Sequence, residues 1–384
     1  MGSLLFKESE LARQIILAII VSFVFGPMGL IVLVGMGWVM RGRYAVDSVT
    51  KHGIGHQESS RLGGIVILLS SLVWGLFSVL AEGNLLWADN VGYVTYGIIV
   101  TCLLTALGAI EDVQNDVLSP RFRLRAMVSV FAVLFLIFPE VVPAKFGFAS
   151  IDAVMGVPVL GALLTIVFCV GFINAVNMAD GANGLMSGIA ALSFYSFSLY
   201  DGPLAWMWVI LTSVVSIFLL YNVVIGRLFL GDGGAYLIAS LILVASFYAV
   251  NKGLVSLGYL AALFSYPCVE LVVTLFRRWR IGRNPLLPDN DHYHNRLHHL
   301  IEPHIKSRVF ANSATGILIA CTTSGITVAL VSNGLLSVTD SSWWLIFAVM
   351  ASLQVVSYTV LGRISQRKPQ FVMDSKVAHV PEEQ

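Results

Sequence analysis

Four carboxylates carry the first chemical signal in this chain. Glu111 and Asp112 close the run "ALGAIED", Asp180 lies in "NAVNMADGANG", and Asp232 lies in "RLFLGDGGAYLI". Each sits at the mouth of an apolar run, where a carboxylate is costly and reads as functional. With no cysteine beside them, they suit a hard, oxygen-seeking cation, Mg²⁺ with Mn²⁺ as a substitute. Mg²⁺ held by one or two carboxylates completes its shell with waters and substrate phosphates. Asn174, Asn177 and Asp180 recur at i, i+3 and i+6, so they share one helical face. Carboxamides and glycine N–H groups suit hydroxyls and phosphate oxygens. His292, His294 and Arg296 in "PDNDHYHNRLHHL", with Lys51 and Arg61 in "KHGIGHQESSRLGG", add positive charge for a pyrophosphate. Together these groups describe phosphoryl chemistry, in which a metal neutralises charge while the protein positions the reactants.

Each cluster has a plainer reading. Glu111-Asp112 could be a solvated helix end, and "GDGG" an ordinary turn. The Asn174–Asp180 face could be a helix C-cap followed by Gly181 and Gly184, although a cap needs one polar residue and here there are four. His294 and His298 stand at i, i+4, but no HExxH frame and no clear third ligand accompany them, which argues against zinc. Cys102, Cys169, Cys268 and Cys321 all lie inside apolar segments without CxxC spacing and read as small buried hydrophobes. There is no Walker A loop, no GxGxxG, and no basic tract of the kind that tracks nucleic acid.

The elements that must hold these groups are membrane helices. The chain has 384 residues, 57% hydrophobic and 12% charged, with mean hydropathy +0.83. A soluble domain carries roughly twice that share of charge. Runs long enough to span, at about 20 residues each, are expected at 15–38, 64–82, 91–110, 126–142, 155–173, 184–200, 204–222, 234–250, 256–276, 312–332 and 342–362. The fold class expected is therefore an all-α polytopic integral membrane protein with about eleven spans. The run from Ile15 to Met40 shows no small-residue cleavage site and reads as a retained first helix. Alternate loops, 41–63, 111–125, 174–183, 223–233, 277–311 and the tail after 362, hold 19 of the 23 Lys and Arg residues. The other side keeps only Lys7, Arg13, Lys145 and Lys252. By the positive-inside rule the first set is cytoplasmic, with the N-terminus outside and the C-terminus in the cytosol. Residues 1–362 read as one transmembrane catalytic domain and 363–384 as a polar cytosolic tail. Every polar cluster falls on the predicted cytoplasmic side, whereas the outer loops "AEGNLLWADN", "DGP" and "NKG" are plain. One site at the cytosol–membrane boundary follows. A transporter or flippase would instead place polar groups within the spans. The one internal exception is Glu270 in "SYPCVELVV", expected to be buried with a partner or close to the cytosolic end.

Five stretches, in order, resemble the motifs of one family, the polyprenyl-phosphate N-acetylhexosamine-1-phosphate transferases. "SSRLGG" resembles the segment ending in Gly-Gly before the second span. "LGAIED" resembles the GxxDD motif, "NAVNMADGANGL" the NxxNxxDGxDGL motif, "FLGDGG" the FxGDxG motif, and "PDNDHYH" the DxxHxH loop. The match covers roughly residues 45–310. Three positions depart from the pattern: Glu111 replaces the first Asp of the pair, Asn183 the second Asp of DGxDG, and Asn295 the third histidine. The histidine loop favours the amino-sugar branch over the pentapeptide branch.

The resemblance implies transfer of an N-acetylated amino-sugar 1-phosphate from a UDP-N-acetylhexosamine to undecaprenyl phosphate or another polyprenyl phosphate, with UMP leaving. It implies Mg²⁺ on Asp232, with Asp112 as the next ligand. Either Asp112 or Glu111 would serve as ligand or proton acceptor. Asn174, Asn177, Asp180 and Asn183 would serve the nucleotide end or the metal shell. His292, His294 and Arg296 would touch the diphosphate or sugar, with Lys51 and Arg61 as helpers on the phosphates. The partners expected are the UDP-sugar, the polyprenyl phosphate and membrane lipid, with no nucleic acid. A homodimer is left open.

Overall fold

Apolar runs in a bilayer leave the α-helix as the simplest way to satisfy every backbone N–H and C=O, and helices dominate this chain. The computed structural model describes residues 2–42, 45–47, 59–82, 90–114, 117–144, 146–200, 202–284 and 289–367. In chain order the helices are α1 (Gly2–Arg41), α2 (Gly63–Glu82), α3 (Val91–Val113), α4 (Pro120–Ile137), α5 (Ala149–Met155), α6 (Pro158–Ala179), α7 (Leu185–Tyr200) and α8 (Ala205–Ile225). They continue as α9 (Gly231–Asn251), α10 (Leu257–Leu263), α11 (Ser265–Arg280), α12 (Tyr293–Ile301), α13 (Arg308–Ala320), α14 (Ile326–Ser332) and α15 (Trp343–Arg367). One short antiparallel pair, β1 (Val46–Asp47) with β2 (Ser59–Ser60), departs from a purely helical chain. The main chain of Ser60 also pairs with the α8–α9 loop, donating to Arg227 C=O and accepting from Phe229 N–H.

Among the described residues, seven helical segments are long and apolar enough to cross a membrane: Ala12–Arg41, Val91–Val113, Pro158–Ala179, Ala205–Ile225, Gly231–Asn251, Arg308–Ser332 and Trp343–Ile364. The protein is a helical, polytopic integral membrane protein. The predicted span at 256–276 is broken: α10 and α11 meet at a 75° bend. The span at 312–332 runs through α13 and α14 by way of a π-helical turn at Cys321–Gly325. The hydroxyls of Thr322 and Thr323 bond back to carbonyls of the preceding turn there. The remaining predicted spans are helical but fall short by length or polarity. The apolar stretches of α2 and α7 cover Gly63–Ser78 and Leu185–Tyr200, and α4 opens with Arg121, Arg123 and Arg125.

Helix α9 is the hub, with 89% of its apolar window buried inside the protein. Glycines let its neighbours approach closely. A Cβ at Gly64 on α2 would lie 2.1 Å from Gly234 Cα, and one at Gly108 on α3 would lie 2.5 Å from the Asp232 carbonyl carbon. Far from these glycines, Asn251 at the end of α9 donates to the Tyr93 hydroxyl (2.8 Å) and to the Val141 carbonyl (3.1 Å), pinning α3 and the end of α4. At the glycine end, α3, α6, α8 and α11 finish while α2, α4, α7, α9 and α13 begin. All the motif-bearing loops meet there.

Candidate active site

The chain first places Asp232. Gly231 opens α9 with φ +73°, a left-handed geometry that glycine adopts without strain. A Cβ there would also meet the Arg61 carbonyl oxygen at 2.2 Å. The first N–H groups of a helix have no partner within it. Here Asp112, buried at the end of α3, supplies one: its Oδ1 accepts from Asp232 N–H at 2.9 Å and its Oδ2 from Gly233 N–H at 2.7 Å. Arg61, also buried, stands 3.8 Å from Asp112 Oδ1. The Asp232 side chain points the other way, into an ion pair with Arg123. Arg123 lies in the first turn of α4, where Ser119 caps the helix by accepting Phe122 N–H at 3.2 Å, and it also bonds to Tyr236.

These groups open onto a cavity of about 620 Å³. Of the residues singled out from sequence, Arg61, Glu111, Asn174, Asn177, Asp180, Asp232, His292 and His294 line it. They come from five separate stretches of the chain. Glu111 accepts Leu118 N–H at 3.0 Å, which ties the α3–α4 loop to the wall. Asn174 donates back to Val170 C=O at 2.7 Å. The histidines close the far side. His292 and His294 stack with ring centres 5.4 Å apart and planes 12° apart. His294 Nδ1 is 3.0 Å from the Tyr266 hydroxyl. A Cβ at Gly181 would fall 2.0 Å from His294 Nε2, so the glycine after Asp180 is what lets the histidine loop close over the α6 end.

Three of the sequence candidates lie elsewhere. Asp112 is behind the wall, with both oxygens turned to α9. Asn183 is buried in a carboxamide network rather than exposed to the cavity. Its N–H donates to Asn312 Oδ1 at 2.8 Å, its Nδ2 reaches Ser313 Oγ at 3.5 Å, and its Oδ1 accepts from Asn222 at 3.5 Å. Arg296 faces α15: it grips Asp291 with two bonds of 2.6 and 2.8 Å, donates to Tyr358 C=O at 2.8 Å and stacks 3.7 Å over the Tyr358 ring. Lys51 lies outside the described residues.

The cavity also holds groups that the sequence did not single out: Arg123, Tyr236, Arg278, Asp289, Asn222 and Asn312. Arg123 left a signal. Arginine in the first turn of a helix opposes the helix dipole, so it needs a carboxylate, and Asp232 is that carboxylate. Asp289 is gripped by Arg277 Nη2 and Arg278 Nε, both at 2.9 Å. Burial pushes the Asp289 carboxyl up, but the hydrogen bonds and charges of the two arginines outweigh it and hold it well below the ordinary carboxylate range.

Among the described residues no three His, Cys, Asp or Glu side chains stand close enough to hold a metal by themselves. The donors facing the cavity are carboxylate and carboxamide oxygens interleaved with guanidinium groups. Such a wall suits a hard cation that takes the rest of its shell from water and from a phosphorylated ligand. It equally suits the phosphates themselves.

A polytopic helical membrane protein with a polar cavity, walled by acids, carboxamides, histidines and arginines from separate stretches of the chain, is the class that fold and site define. Over residues 94–250, from α3 through α9, the chain matches the model of glycosyl transferase family 4. It is similar to the undecaprenyl-phosphate alpha-N-acetylglucosaminyl 1-phosphate transferase of Escherichia coli (strain K12), 26% identical over 212 residues that make up 52% of this chain and 55% of the relative. The protein of the same name from Thermotoga maritima is 27% identical over 199 residues, 52% of this chain and 59% of the relative. The chain thus spans little more than half the length of these two relatives. The decaprenyl-phosphate N-acetylglucosaminephosphotransferase of Mycolicibacterium smegmatis is 25% identical over 356 residues, 81% of this chain and 86% of the relative.

Proposed function

We propose that this protein transfers the 1-phosphate of an N-acetylated amino sugar from a UDP-sugar to a polyprenyl phosphate such as undecaprenyl phosphate. The observation that carries this reading is the cavity in which Arg61, Glu111, Asp180, Asp232 and His292 meet from five separate stretches of the chain. An oxygen of the acceptor phosphate bonds to the β-phosphorus of the donor. The bond from that phosphorus to the bridging oxygen breaks, UMP leaves with the oxygen, and a polyprenyl-diphosphate sugar remains in the membrane. The second pKa of a phosphate monoester is about 6, so the acceptor is largely dianionic at neutral pH and needs no strong base.

Asp232 is the group best placed to hold Mg²⁺, since its carboxylate faces the cavity while its main chain is fixed by Asp112. Bound there, Mg²⁺ would offset the charge that builds on the diphosphate. Arg123 and Arg278 face the same space and hold the diphosphate oxygens by charge-assisted bonds. Asn174, Asn177 and Asp180 line the α6 wall for the nucleotide end, and His292 and His294 face the diphosphate or the sugar. Glu111, buried in the wall, fixes the α3–α4 loop that presents Arg123.

The positive-inside count supports a cavity facing the cytosol across a bacterial cytoplasmic membrane. The reaction would then be the first lipid-linked step towards a surface polysaccharide. Purified protein given Mg²⁺, undecaprenyl phosphate and a panel of UDP-N-acetylhexosamines should release UMP with at least one donor. UDP-N-acetylglucosamine is the first to try, because the relatives are named for that sugar. Release of UMP by none of them would remove the proposal.

A further inference from the structure

We propose that Glu270 on the bent α10–α11 span is the positioning residue for His292, fixing the Nδ1 proton and thereby turning Nε2 towards the reacting diphosphate. This rests on the transferase reading of the cavity. Glu270 lies outside the cavity wall, is 1% exposed, and belongs to none of the five motif stretches. Its carboxylate gathers donors. Oε1 is 3.0 Å from His292 Nδ1, Tyr293 N–H donates to Oε1 at 3.3 Å and to Oε2 at 3.4 Å, and the Thr274 hydroxyl donates to Oε1 at 3.4 Å.

A carboxylate can only accept. Among these donors, the imidazole nitrogen facing it must carry its proton, so the ring is held as the Nδ1–H form. Nε2 is then the one nitrogen left to exchange a hydrogen bond or a proton with a ligand. It lies on the cavity side, 3.7 Å from Asp289 Oδ1. Asp289 is already engaged by Arg277 and Arg278, so it bounds the position of Nε2 without capturing it. The His294 ring lies nearly parallel to that of His292, with centres 5.4 Å apart.

A buried charge without a partner is expensive, and a carboxylate within an apolar span more so. The bend between α10 and α11 brings α11 to the histidine loop. There Glu270 finds its partners in His292 and the first backbone N–H of α12.

The test joins kinetics to a measurement that needs no turnover. In Glu270→Gln, which keeps the shape and removes the charge, kcat should fall roughly 10- to 100-fold, the usual cost of losing a partner that orients a functional histidine. KM for the UDP-sugar should stay near the wild-type value. The double variant with His292→Gln should be no slower than His292→Gln alone, as expected for residues acting as one unit. Glu270→Asp, which keeps the charge, should recover part of the loss. In full-length protein labelled with ¹⁵N-histidine, the His292 signal, assigned by its disappearance in His292→Gln, should report protonated Nδ1 and lose that fixed state in Glu270→Gln. Full activity in Glu270→Gln, multiplicative losses in the double variant, no recovery in Glu270→Asp, or an unchanged His292 signal would each overturn the proposal. If the wild-type protein turns over no donor, the transferase reading falls, and the ¹⁵N signal alone decides the Glu270–His292 link.

Discussion

Asp112 holds the backbone of Asp232. Two oxygens of a carboxylate on α3 accept the N–H groups of Asp232 and its neighbour Gly233 on α9, at 2.9 and 2.7 Å. Arg61, next to "LGG", stands behind the same carboxylate. Three stretches of sequence far apart in the chain are thus locked by one side chain, and the Asp232 carboxylate is left facing Arg123 and the cavity. The two aspartates therefore have different settings, one turned to a helix end and one to the cavity.

That division predicts different failures. Asp112→Asn puts an amide N–H₂ where an acceptor is needed, so one buried backbone N–H loses its partner at a cost of about 1–3 kcal/mol. Its thermal unfolding midpoint in detergent should drop and its activity with it. Asp232→Asn should leave the midpoint close to wild type, because its partner Arg123 is only partly buried. Its turnover should fall on the order of a thousandfold, as losing several kcal/mol of charge stabilisation implies. A fluorimetric melt and a UMP assay on the same preparations check both halves.

Close approach at α2 gives a second contrast. A Cβ at Gly64 would lie 2.1 Å from the α9 backbone, whereas one at Gly75, on the same helix, has nothing within 4 Å. Backbone cannot step aside as a side-chain tip can. Gly64→Ala should therefore sharply reduce the yield of folded protein, while Gly75→Ala should be neutral or slightly stabilising, as alanine is the better helix former. Size-exclusion profiles of the two variants after detergent extraction decide it.

Asn183 occupies the place where the family motif has Asp, and the structure gives it a structural setting. Its Nδ2 faces the Ser313 oxygen, and the Ser313 hydroxyl is already donated to Val223 C=O at 2.8 Å. Asn183→Asp would oppose two acceptors in a buried site, so it should lower stability by about 1–3 kcal/mol without raising turnover. Paired melting and activity curves measure it.

The depressed Asp289 carboxyl sets an acid limit. A group whose pKa is lowered on folding stabilises the protein above its unfolded value, about 3.9 for Asp. That stabilisation is lost as pH falls through the folded value. Asp291 is lowered in the same sense: burial pushes it up, and Arg296 and Arg277 outweigh that. The melting midpoint should owe nothing of its pH dependence between about 5 and 9 to this pair, and should fall below about pH 4. In Asp289→Asn the midpoint should be lower at neutral pH and its acid drop shallower. Melts of both proteins from pH 3 to 9 read the difference.

Much of this was legible in the sequence because apolar runs and charged loops are strong, local signals. The helices, the gathering of "ED", "NAVNMAD", "FLGDGG" and the histidine loop, and the burial of Glu270 with a partner all followed from position alone. What was not legible depends on side-chain direction. Asp112 and Asp232 look alike in sequence, yet one faces a helix end and the other a cavity. Arg296 stands two residues from His294, yet one faces α15 and the other the site. The bend between α10 and α11 and the pairing of Ser60 with the α8–α9 loop likewise come from tertiary contacts that no local pattern carries.

The proposed transfer moves a phosphosugar rather than a sugar alone. Labelling the β-phosphate of UDP-N-acetylglucosamine with ³²P, and supplying undecaprenyl phosphate and Mg²⁺, separates the two outcomes directly. The label should enter the organic phase with the lipid, in step with release of unlabelled UMP. Label that stays in the aqueous phase as UDP or phosphate while the sugar reaches the lipid would contradict the proposed transfer.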